Sequence, residues 1–551
     1  MFESAFLIKK IKVAAFLVFL CTGTLSFGQE VQYNYFYRVC FIDKGDNHIE
    51  DFPPSQLLSE RALNRREKSG ITVPDIQDLP VFSGYLDEIS SLGLTLHTTS
   101  KWMNTGLFKT IMPVDPALLL NLPYVKDVKL VKNPSTKSNY TDKLDFPVYQ
   151  ADTYPYDRPI TLVNGSLLHS SVYNGTGILI AVLDGGFLNA HLISSLQSLR
   201  NRKGIKGTYD FIENNEFVYA YHNHGTAVLS VLAGQLEDQI KGTAPGAEYL
   251  LFRTEDTGSE FSVEEDFWVA AAEYADSAGA DIISSSLGYY NFDDPALNYK
   301  FSDLDGNSAF VTIAADIAAS KGILVICSAG NERNKEWKRI LAPSDGDSVI
   351  SSGAVDGNNV ISTFSSAGPS ADGRVKPDNT TMGVNVPVQV DLSLIVRSSG
   401  TSFSCPVLSG MAACLMQAVP SAINTEIIEA LHYSADRYTL PDSLYGYGTP
   451  DMQKTIMRLQ DIHVIRPSAE FVTGPNPTTG EVEIIFREDP GTMIIEIFNT
   501  SGVAIYRKQI PEYAGRTLRI QALNNRGRGI YLIRITTDNG IFTNKIIKLS
   551  N

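Results

Sequence analysis

Short apolar runs alternate with longer amphipathic stretches through the middle of this 551-residue chain. The runs are bounded by glycine or polar residues, and such near-continuous runs are typical of parallel strands buried on both faces. They cover residues 178–183, 248–253, 281–285, 323–328 and 349–355. Between two runs, Ser262 is followed three residues later by Glu265, which predicts a capping box at the start of a helix. The succession of strand, helix and strand predicts an α/β fold built on a doubly wound parallel sheet.

The pattern differs on both sides of this region. Residues 30–132 mix strand-like alternation with helical spacing, which predicts a small α+β unit. Residues 133–159 are polar and carry prolines, as expected of a linker in which proteolytic nicking concentrates. Residues 467–551 contain strand-like runs separated by turn residues, which predict a small all-β sandwich.

The amino terminus has the three parts of a signal peptide. Lys9, Lys10 and Lys12 precede an apolar run over residues 13–20, and small and polar residues follow up to Gly28. The apolar run is too short to cross a bilayer, so a cleaved signal over residues 1–28 is the interpretation. We expect this segment to direct the protein out of the cytoplasm.

Composition narrows the class of protein. Apolar residues make up 43% of the chain and charged residues 19%, which is the balance of a globular protein. The net charge of −15 argues against a nucleic-acid partner. The five cysteines have neither zinc-site nor disulfide-framework spacing. We expect buried thiols, with one bridge involving Cys327 as the alternative.

Three residues in separate blocks offer an acid, a base and a nucleophile. Asp184 ends a predicted buried strand, His224 lies at a predicted helix start, and Ser402 opens a long predicted helix. A serine hydroxyl is a weak nucleophile unless a base removes its proton, and the base needs a third group to orient it. His222 suggests a metal site instead, but no cluster of acids or cysteines supports that alternative.

The helix start at Ser402 also suits stabilisation of a developing oxyanion. Backbone N–H groups at a helix N-terminus lack intrahelical partners, and the local dipole favours negative charge. Asn331 follows the predicted strand 323–328, and its carboxamide is a neutral donor suited to the same charge. Ser404 is a rival nucleophile, but it lies further into the helix.

Three blocks together resemble the subtilisin-like serine peptidases: AVLDG at 181–185, HGTAV at 224–228 and GTSFSCP at 400–406. The resemblance covers roughly residues 150–465. It implies that Asp184 orients the base, that His224 acts as general base and then acid, that Ser402 is the nucleophile, and that Asn331 donates to the oxyanion. The chain departs from the family where Phe403 replaces a methionine and Gly185 a serine or threonine, which bears on rate and specificity.

The same resemblance identifies residues expected to bind substrate. The block SSSLG corresponds to a family segment that pairs with the substrate backbone as an added strand. Its members are Ser284, Ser285, Ser286, Leu287 and Gly288. Glu332 is implied to lie near the pocket for the side chain preceding the cut, where it would tolerate polar or basic groups.

The flanking units resemble known companions of these enzymes. Residues 29–132 look like an inhibitory prodomain, and residues 467–551 resemble a type IX secretion sorting domain. With the signal peptide at 1–28 and a maturation site expected within 133–159, the peptidase domain would span 160–466. The tail implies export across an outer membrane, followed by release or anchoring at the surface.

The sequence is thus interpreted as that of a secreted serine endopeptidase made as an inhibited precursor. Its expected partners are protein or peptide substrates, its own prodomain and the type IX machinery, with no nucleic acid. Catalysis is expected to need no cofactor. Structural calcium is common in the family, but no loop identifies its ligands. The alternatives are an inactive adhesin or peptide-binding scaffold of the same fold, and an esterase using the same triad.

Overall fold

The computed structural model describes residues 35–138, 142–149 and 154–465, together with 471–474, 478, 480–486, 490–500, 502–513, 515, 517–538 and 540–548. The predicted signal peptide lies outside these residues. Within the described part of the chain, no helix has the length and apolar character needed to cross a bilayer.

The first unit is an antiparallel four-stranded sheet with short helices, and the predicted α+β character is confirmed. Its sheet has the order β2-β3-β1-β4. Residues 54–68, which have helical spacing in the sequence, form two helices, because Leu58 is extended and the Ser59 hydroxyl accepts from the N–H of Ala62 to start the second. The elements are β1 (Tyr35–Phe41), α1 (Pro54–Leu57), α2 (Glu60–Lys68), α3 (Ser83–Ser91), β2 (Thr95–Ser100), β3 (Thr105–Thr110), α4 (Pro116–Leu120) and β4 (Val125–Lys132).

The central unit is a seven-stranded parallel sheet, as the apolar runs predict. Its strand order is β14-β13-β12-β11-β6-β10-β7. The strands are β6 (Leu179–Asp184), β7 (Ile205–Asp210), β10 (Glu248–Arg253), β11 (Ile282–Ser285), β12 (Leu324–Ser328), β13 (Val349–Val355) and β14 (Asn379–Met382). Small antiparallel pieces surround it: β5 (Val148–Tyr149), β8 (Gln235–Leu236), β9 (Ile240–Lys241), β15 (Val386–Gln389) and β16 (Ile395–Ser398).

Helices cover both faces of the parallel sheet. Two separate apolar clusters form, one mainly with α8 and α11 and the other mainly with α9 and α10. The helices are α5 (Arg158–Thr161), α6 (Ser166–Ser170), α7 (Gln197–Asn201), α8 (His224–Ala233), α9 (Val263–Ala278), α10 (Phe310–Ser320), α11 (Thr401–Ala418), α12 (Asn424–Ser434) and α13 (Met452–Ile465). This two-sided cover explains why every residue of β6 is buried.

The predicted capping box at α9 is wrong. Ser262 does precede the helix, but its side chain makes no capping hydrogen bond. Its hydroxyl instead donates to the carbonyl of Val131 in β4, 3.4 Å away. The first unit therefore takes the group that would otherwise cap the helix.

The first unit packs on α9 through buried ion pairs. Nε and Nη2 of Arg38 lie 2.7 and 2.6 Å from the two carboxylate oxygens of Asp266. Arg66 is fully buried between Asp78 at 2.8 Å and Asp276 at 2.6 Å. Removing one member of such a pair leaves an uncompensated buried charge, so the interface depends on all of its charged groups together.

The C-terminal region contains two antiparallel sheets that share one apolar core. The first has the order β17-β18-β21 and the second β20-β19-β22-β23. The strands are β17 (Phe471–Gly474), β18 (Val482–Phe486), β19 (Gly491–Asn499), β20 (Ala504–Tyr513), β21 (Thr517–Ile520), β22 (Gly529–Thr537) and β23 (Gly540–Lys548).

Candidate active site

Asp184 and His224 meet at the carboxyl end of the parallel sheet. Asp184 is the last residue of β6, and His224 is the first residue of α8. Nδ1 of His224 lies 2.9 Å from both carboxylate oxygens of Asp184. Both side chains are buried, and Oδ1 of Asp184 also accepts from the N–H of Gly185 at 2.8 Å. The carboxylate fixes the proton on Nδ1, which leaves Nε2 of His224 as a proton acceptor.

The residue after His224 must be small for this contact to form. A Cβ on Gly225 would lie 2.4 Å from the carbonyl oxygen of Gly186 and 3.0 Å from Cβ of Asp184. The first turn of α8 is therefore pressed against the end of β6. Gly225 thereby allows His224 to approach Asp184 closely.

Ser402 is the second residue of α11 and lies at the edge of a cleft. Its Oγ donates to the carbonyl of Ser286 at 3.3 Å, and no hydrogen bond to His224 is present among the described residues. The hydroxyl of Ser286 in turn donates to the carbonyl of Ser402 at 2.9 Å. Pro406 has no N–H to offer that carbonyl, so the proline in the second turn leaves it free for Ser286.

The neighbouring nucleophiles on α11 face the core. Ser404 is fully buried, and its hydroxyl donates to the carbonyls of Thr401 and Ser352. Burial raises the pKa of Cys405 to about 11, so this thiol stays protonated at neutral pH. At the start of α11, Thr401 and Ser402 line the cleft, whereas Ser404 and Cys405 do not.

The carboxamide of Asn331 is oriented by the start of the same helix. Its Oδ1 accepts from the N–H of Thr401 at 2.9 Å and from the Thr401 hydroxyl at 3.0 Å. The side chain also lines the cleft. Because Oδ1 is occupied by these two donors, Nδ2 is the group available to a negatively charged ligand.

The cleft has a volume of about 420 Å³ and brings most of the predicted site residues together. Those that line it are His224, Ser286, Leu287, Gly288, Asn331, Glu332 and Ser402. Asp184 lies behind His224. Ser284 and Ser285 are fully buried in β11, where the Ser285 hydroxyl accepts from Nε1 of Trp268 at 3.0 Å. That Ser284 and Ser285 contact the substrate stays a prediction.

Residues 142–149, which the sequence suggested as part of a linker, cross this cleft. The Phe146 ring lies 5.5 Å from the His224 ring and 5.6 Å from the Phe403 ring, between centroids. The N–H of Lys143 donates to the carbonyl of Thr257 at 3.1 Å. Beyond Phe146, β5 pairs antiparallel with β16. The protein's own chain thus forms one wall of the cleft.

Three glutamates beside the cleft were missed from the sequence. Nζ of Lys143 lies 2.8 Å from Glu255, 3.0 Å from Glu260 and 2.6 Å from Glu264. In the described part of the chain, these glutamates form the one group of three or more potential metal ligands, and an ammonium group lies among them. The dense acids after the run 248–253 were the available signal, because ligands bind at the carboxyl ends of parallel strands.

His222 is held by two contacts that do not involve a metal ion. Its Nδ1 accepts from the N–H of His224 at 3.1 Å, and its Nε2 lies 2.8 Å from the carboxylate of Asp142. The structure also decides whether Cys327 forms a disulfide bridge. Cys327, like Cys40, Cys405 and Cys414, is a free thiol, so the bridge considered for it is wrong.

Three parts of the chain match known protein families. Residues 175–448 match the subtilase family. Residues 36–145 match the peptidase S8 propeptide domain of Bacteroidota, and residues 475–549 match a secretion-system C-terminal sorting domain. The propeptide match includes Lys143 and the buried ion pairs with α9. The sorting domain indicates secretion or placement at the cell surface.

Individual relatives agree with these matches. Subtilisin E of Bacillus subtilis is 27% identical over 371 residues, which cover 67% of this chain and 84% of the relative. Serine protease AprX of the same organism is 28% identical over 312 residues, covering 51% of this chain and 66% of the relative. With a subtilase domain, an S8 propeptide and a sorting tail in one polypeptide, the chain belongs to the subtilase family and is a subtilisin-like serine endopeptidase.

Proposed function

We propose that this protein is exported as an inhibited precursor and hydrolyses peptide bonds through Ser402, His224 and Asp184. The observation that carries the proposal is the 2.9 Å contact between His224 Nδ1 and the Asp184 carboxylate, at a cleft that Ser402 also lines. An imidazole held in this tautomer can accept a proton at Nε2.

In the proposed reaction, Oγ of Ser402 attacks the substrate carbonyl carbon while His224 Nε2 takes its proton. The hydroxyl must first turn from the Ser286 carbonyl towards the imidazole. The tetrahedral oxyanion accepts from Nδ2 of Asn331 and from the backbone N–H of Ser402 at the start of α11. His224 then returns the proton to the leaving amine, and water hydrolyses the acyl-enzyme by the same route.

The substrate is proposed to bind as an extended strand. Ser286, Leu287 and Gly288 line one side of the cleft, and Thr257 offers the carbonyl that Lys143 uses in the precursor. Main-chain pairing of this kind gives affinity without regard to side chains, while pockets supply the selectivity. This favours peptides over simple esters.

The proposed inhibition is supported by the segment 143–147, which lines the cleft beside His224. We propose that residues 29–132 form the prodomain, that maturation cuts within 133–159, and that residues 160–466 remain as the peptidase. The tail at 467–551 is proposed to fold as a small sandwich that is recognised by type IX machinery and then removed. Residues 1–28 are proposed as the signal peptide.

Intact mass and N-terminal sequence of the exported protein test this proposal. The wild type should lose its prodomain, whereas Ser402→Ala should keep it. Loss of the prodomain from both proteins would assign the trimming to another protease. If both keep it and neither cleaves casein, the peptide-binding scaffold becomes the better description.

A further inference from the structure

Lys143 of the propeptide is held by a preformed acidic pocket. Its side chain is 5% exposed, and its ammonium group contacts the carboxylates of Glu255, Glu260 and Glu264. Such charge-assisted hydrogen bonds are among the stronger polar contacts in proteins. Three carboxylates around one ammonium exceed what a single ion pair requires.

The glutamates are held in place by groups that do not belong to the propeptide. Oε1 of Glu255 accepts from the hydroxyl of Tyr289, and Oε1 of Glu264 accepts from the N–H of Asp256 at 2.8 Å. The other oxygen of each carboxylate faces Lys143. All of these supporting groups belong to the subtilase domain and remain when the propeptide leaves. The pocket therefore persists in the mature enzyme.

Electrostatics favours a cation in this pocket. Burial raises the pKa of Glu260 to about 7, despite the opposing effect of Lys143. Burial alone would lower the pKa of Lys143, but the three glutamates hold it well above its ordinary value. Beside a neutral side chain of the same length, these buried carboxyls would have to take up protons or stay charged without a partner, and neither state gives the attraction that a lysine ammonium supplies.

The backbone of Lys143 is bound to the subtilase domain beside the pocket. Its N–H pairs with the carbonyl of Thr257, two residues after Glu255. The following residue, Leu144, covers Gly185, where a Cβ would lie 2.4 Å from Cδ1 of the leucine. Gly185 follows the proposed catalytic Asp184 directly. The pocket is thus aligned along the same cleft as the reacting groups.

We propose that the pocket of Glu255, Glu260 and Glu264 is a specificity subsite that selects a lysine or arginine side chain in peptide substrates. Lys143 is the chain's own occupant of this subsite. The inference rests on the proposed function, since it assigns a substrate class to the same cleft. It adds a basic residue followed directly by an apolar one, as in Lys143-Leu144, as the preferred pattern.

The test uses the mature wild-type enzyme and internally quenched peptides. Each peptide carries Asp-Xaa-Leu, copied from residues 142–144, before a short randomised stretch, with Xaa as lysine, arginine, norleucine or glutamate. The kcat/KM for lysine should exceed that for norleucine by roughly 10- to 100-fold, the range expected of hydrogen bonds to charged groups. Glutamate should be the poorest. Equal values for lysine and norleucine overturn the proposal.

Variants identify the pocket as the source of the selectivity. Glu260→Gln and Glu264→Gln should each reduce the ratio of lysine to norleucine, and the double variant should bring it below about threefold, because two of the three charged acceptors are lost. Glu237→Gln is the matched control, because this exposed residue on the β8–β9 turn changes the net charge equally. An undiminished ratio in the double variant overturns the assignment.

Two further outcomes are separable. Wild-type enzyme that cleaves neither the peptides nor casein contradicts the proposed function as well as the subsite. If lysine has no advantage but added Ca²⁺ raises the melting temperature of the wild type and not of the double variant, the pocket is a metal site and the proposal is wrong. The peptide series on the wild type needs no variant, so a misfolded variant does not remove the test.

Discussion

The aromatic ring of Phe146 lies 5.5 Å from the imidazole of His224, between ring centroids. A propeptide-side residue thus packs directly on the proposed general base. The same ring lies 5.6 Å from Phe403 on the helix that carries Ser402. We expect this contact to hold the segment against the cleft in the uncleaved chain, so that weakening it should make the segment open more often.

Phe146→Ala in a Ser402→Ala precursor should loosen the segment. The lost ring contacts are worth about 1–2 kcal/mol, which raises the open population by roughly 5- to 30-fold. Trypsin cleavage after Lys143 measures that population, because a bound segment must open before it is cut. Asp145→Ala, at an exposed neighbour, is the control. Equal cleavage rates in both variants would contradict the contact's role.

Asp184→Asn should lower kcat by about 10⁴-fold with little change in KM, because an amide favours the wrong imidazole tautomer. Asp238→Asn provides the control. Its φ of 55° lies in the left-handed region that asparagine adopts readily. Steady-state kinetics on one peptide compare the two. A kcat within tenfold of the wild type in Asp184→Asn would argue against a catalytic role for this contact.

Asn331→Asp separates the two functions of this side chain. An aspartate still accepts from Thr401 but presents an anion where the Nδ2 donor was. We expect kcat to fall by at least the ~10²–10³-fold that loss of an oxyanion donor costs in subtilisin. Asn331→Ala should show a loss of that size. Stopped-time assays of both variants check this, and near-normal turnover in either would remove Asn331 from the oxyanion site.

Arg38→Met should destabilise the precursor by about 3–5 kcal/mol, because Asp266 is left buried without its partner. Urea unfolding of the Ser402→Ala precursor measures the loss. The double variant Arg38→Met with Asp266→Leu should recover part of it, since the Asp266 charge is removed together with its partner and only Glu265, 3.9 Å from Arg38 in the wild type, loses its cation. A double variant less stable than Arg38→Met would contradict this explanation, because the unpaired charge of Asp266 would then not be the cause of the loss.

His97 makes docking of the propeptide sensitive to acid. Burial lowers its pKa to about 4, and its Nε2 lies 2.9 Å from the carbonyl of Phe211 in the subtilase domain. Docking of the propeptide favours the neutral form of His97. The contribution of His97 to the stability of the docked state is therefore complete above pH ~6.5 and is lost as the pH falls towards 4. Nearby Glu273 has a pKa raised by burial and acts in the opposite direction.

The comparison that isolates His97 is with His97→Gln, which keeps a donor for Phe211. Melting temperatures of the two Ser402→Ala precursors should converge at pH 4–5 and diverge above pH 6.5, with the wild type more stable. Parallel curves across this range would exclude a role for His97 protonation.

The apolar runs predicted five of the seven central strands, and two of these predictions, 248–253 and 349–355, have the observed bounds. The two missed strands are at the edges of the sheet. The sequence of β7, IKGTYD, is half-exposed and polar, and β14 reads NTTM. Neither has an apolar run, because their place is fixed by pairing with β10 and β13 rather than by hydrophobicity.

The proposed catalytic residues could be found from the sequence because each lies at the end or the start of a strongly patterned element. The path of residues 142–149 was not, since a polar stretch bound by backbone pairing looks like a solvated linker. Its three glutamate partners are likewise buried through tertiary contacts that no local period encodes. The sequence therefore predicted the candidate catalytic residues but not the path of residues 142–149 beside them.

Active-site labelling is the most direct test of the central claim that Ser402 is an activated nucleophile. Mature enzyme is incubated with a fluorophosphonate, and intact mass and peptide mapping are recorded with residual activity. The account predicts one adduct per chain on Ser402, activity lost in proportion to labelling, and no adduct in His224→Ala. An adduct on another residue, or full activity after Ser402 is labelled, would contradict it.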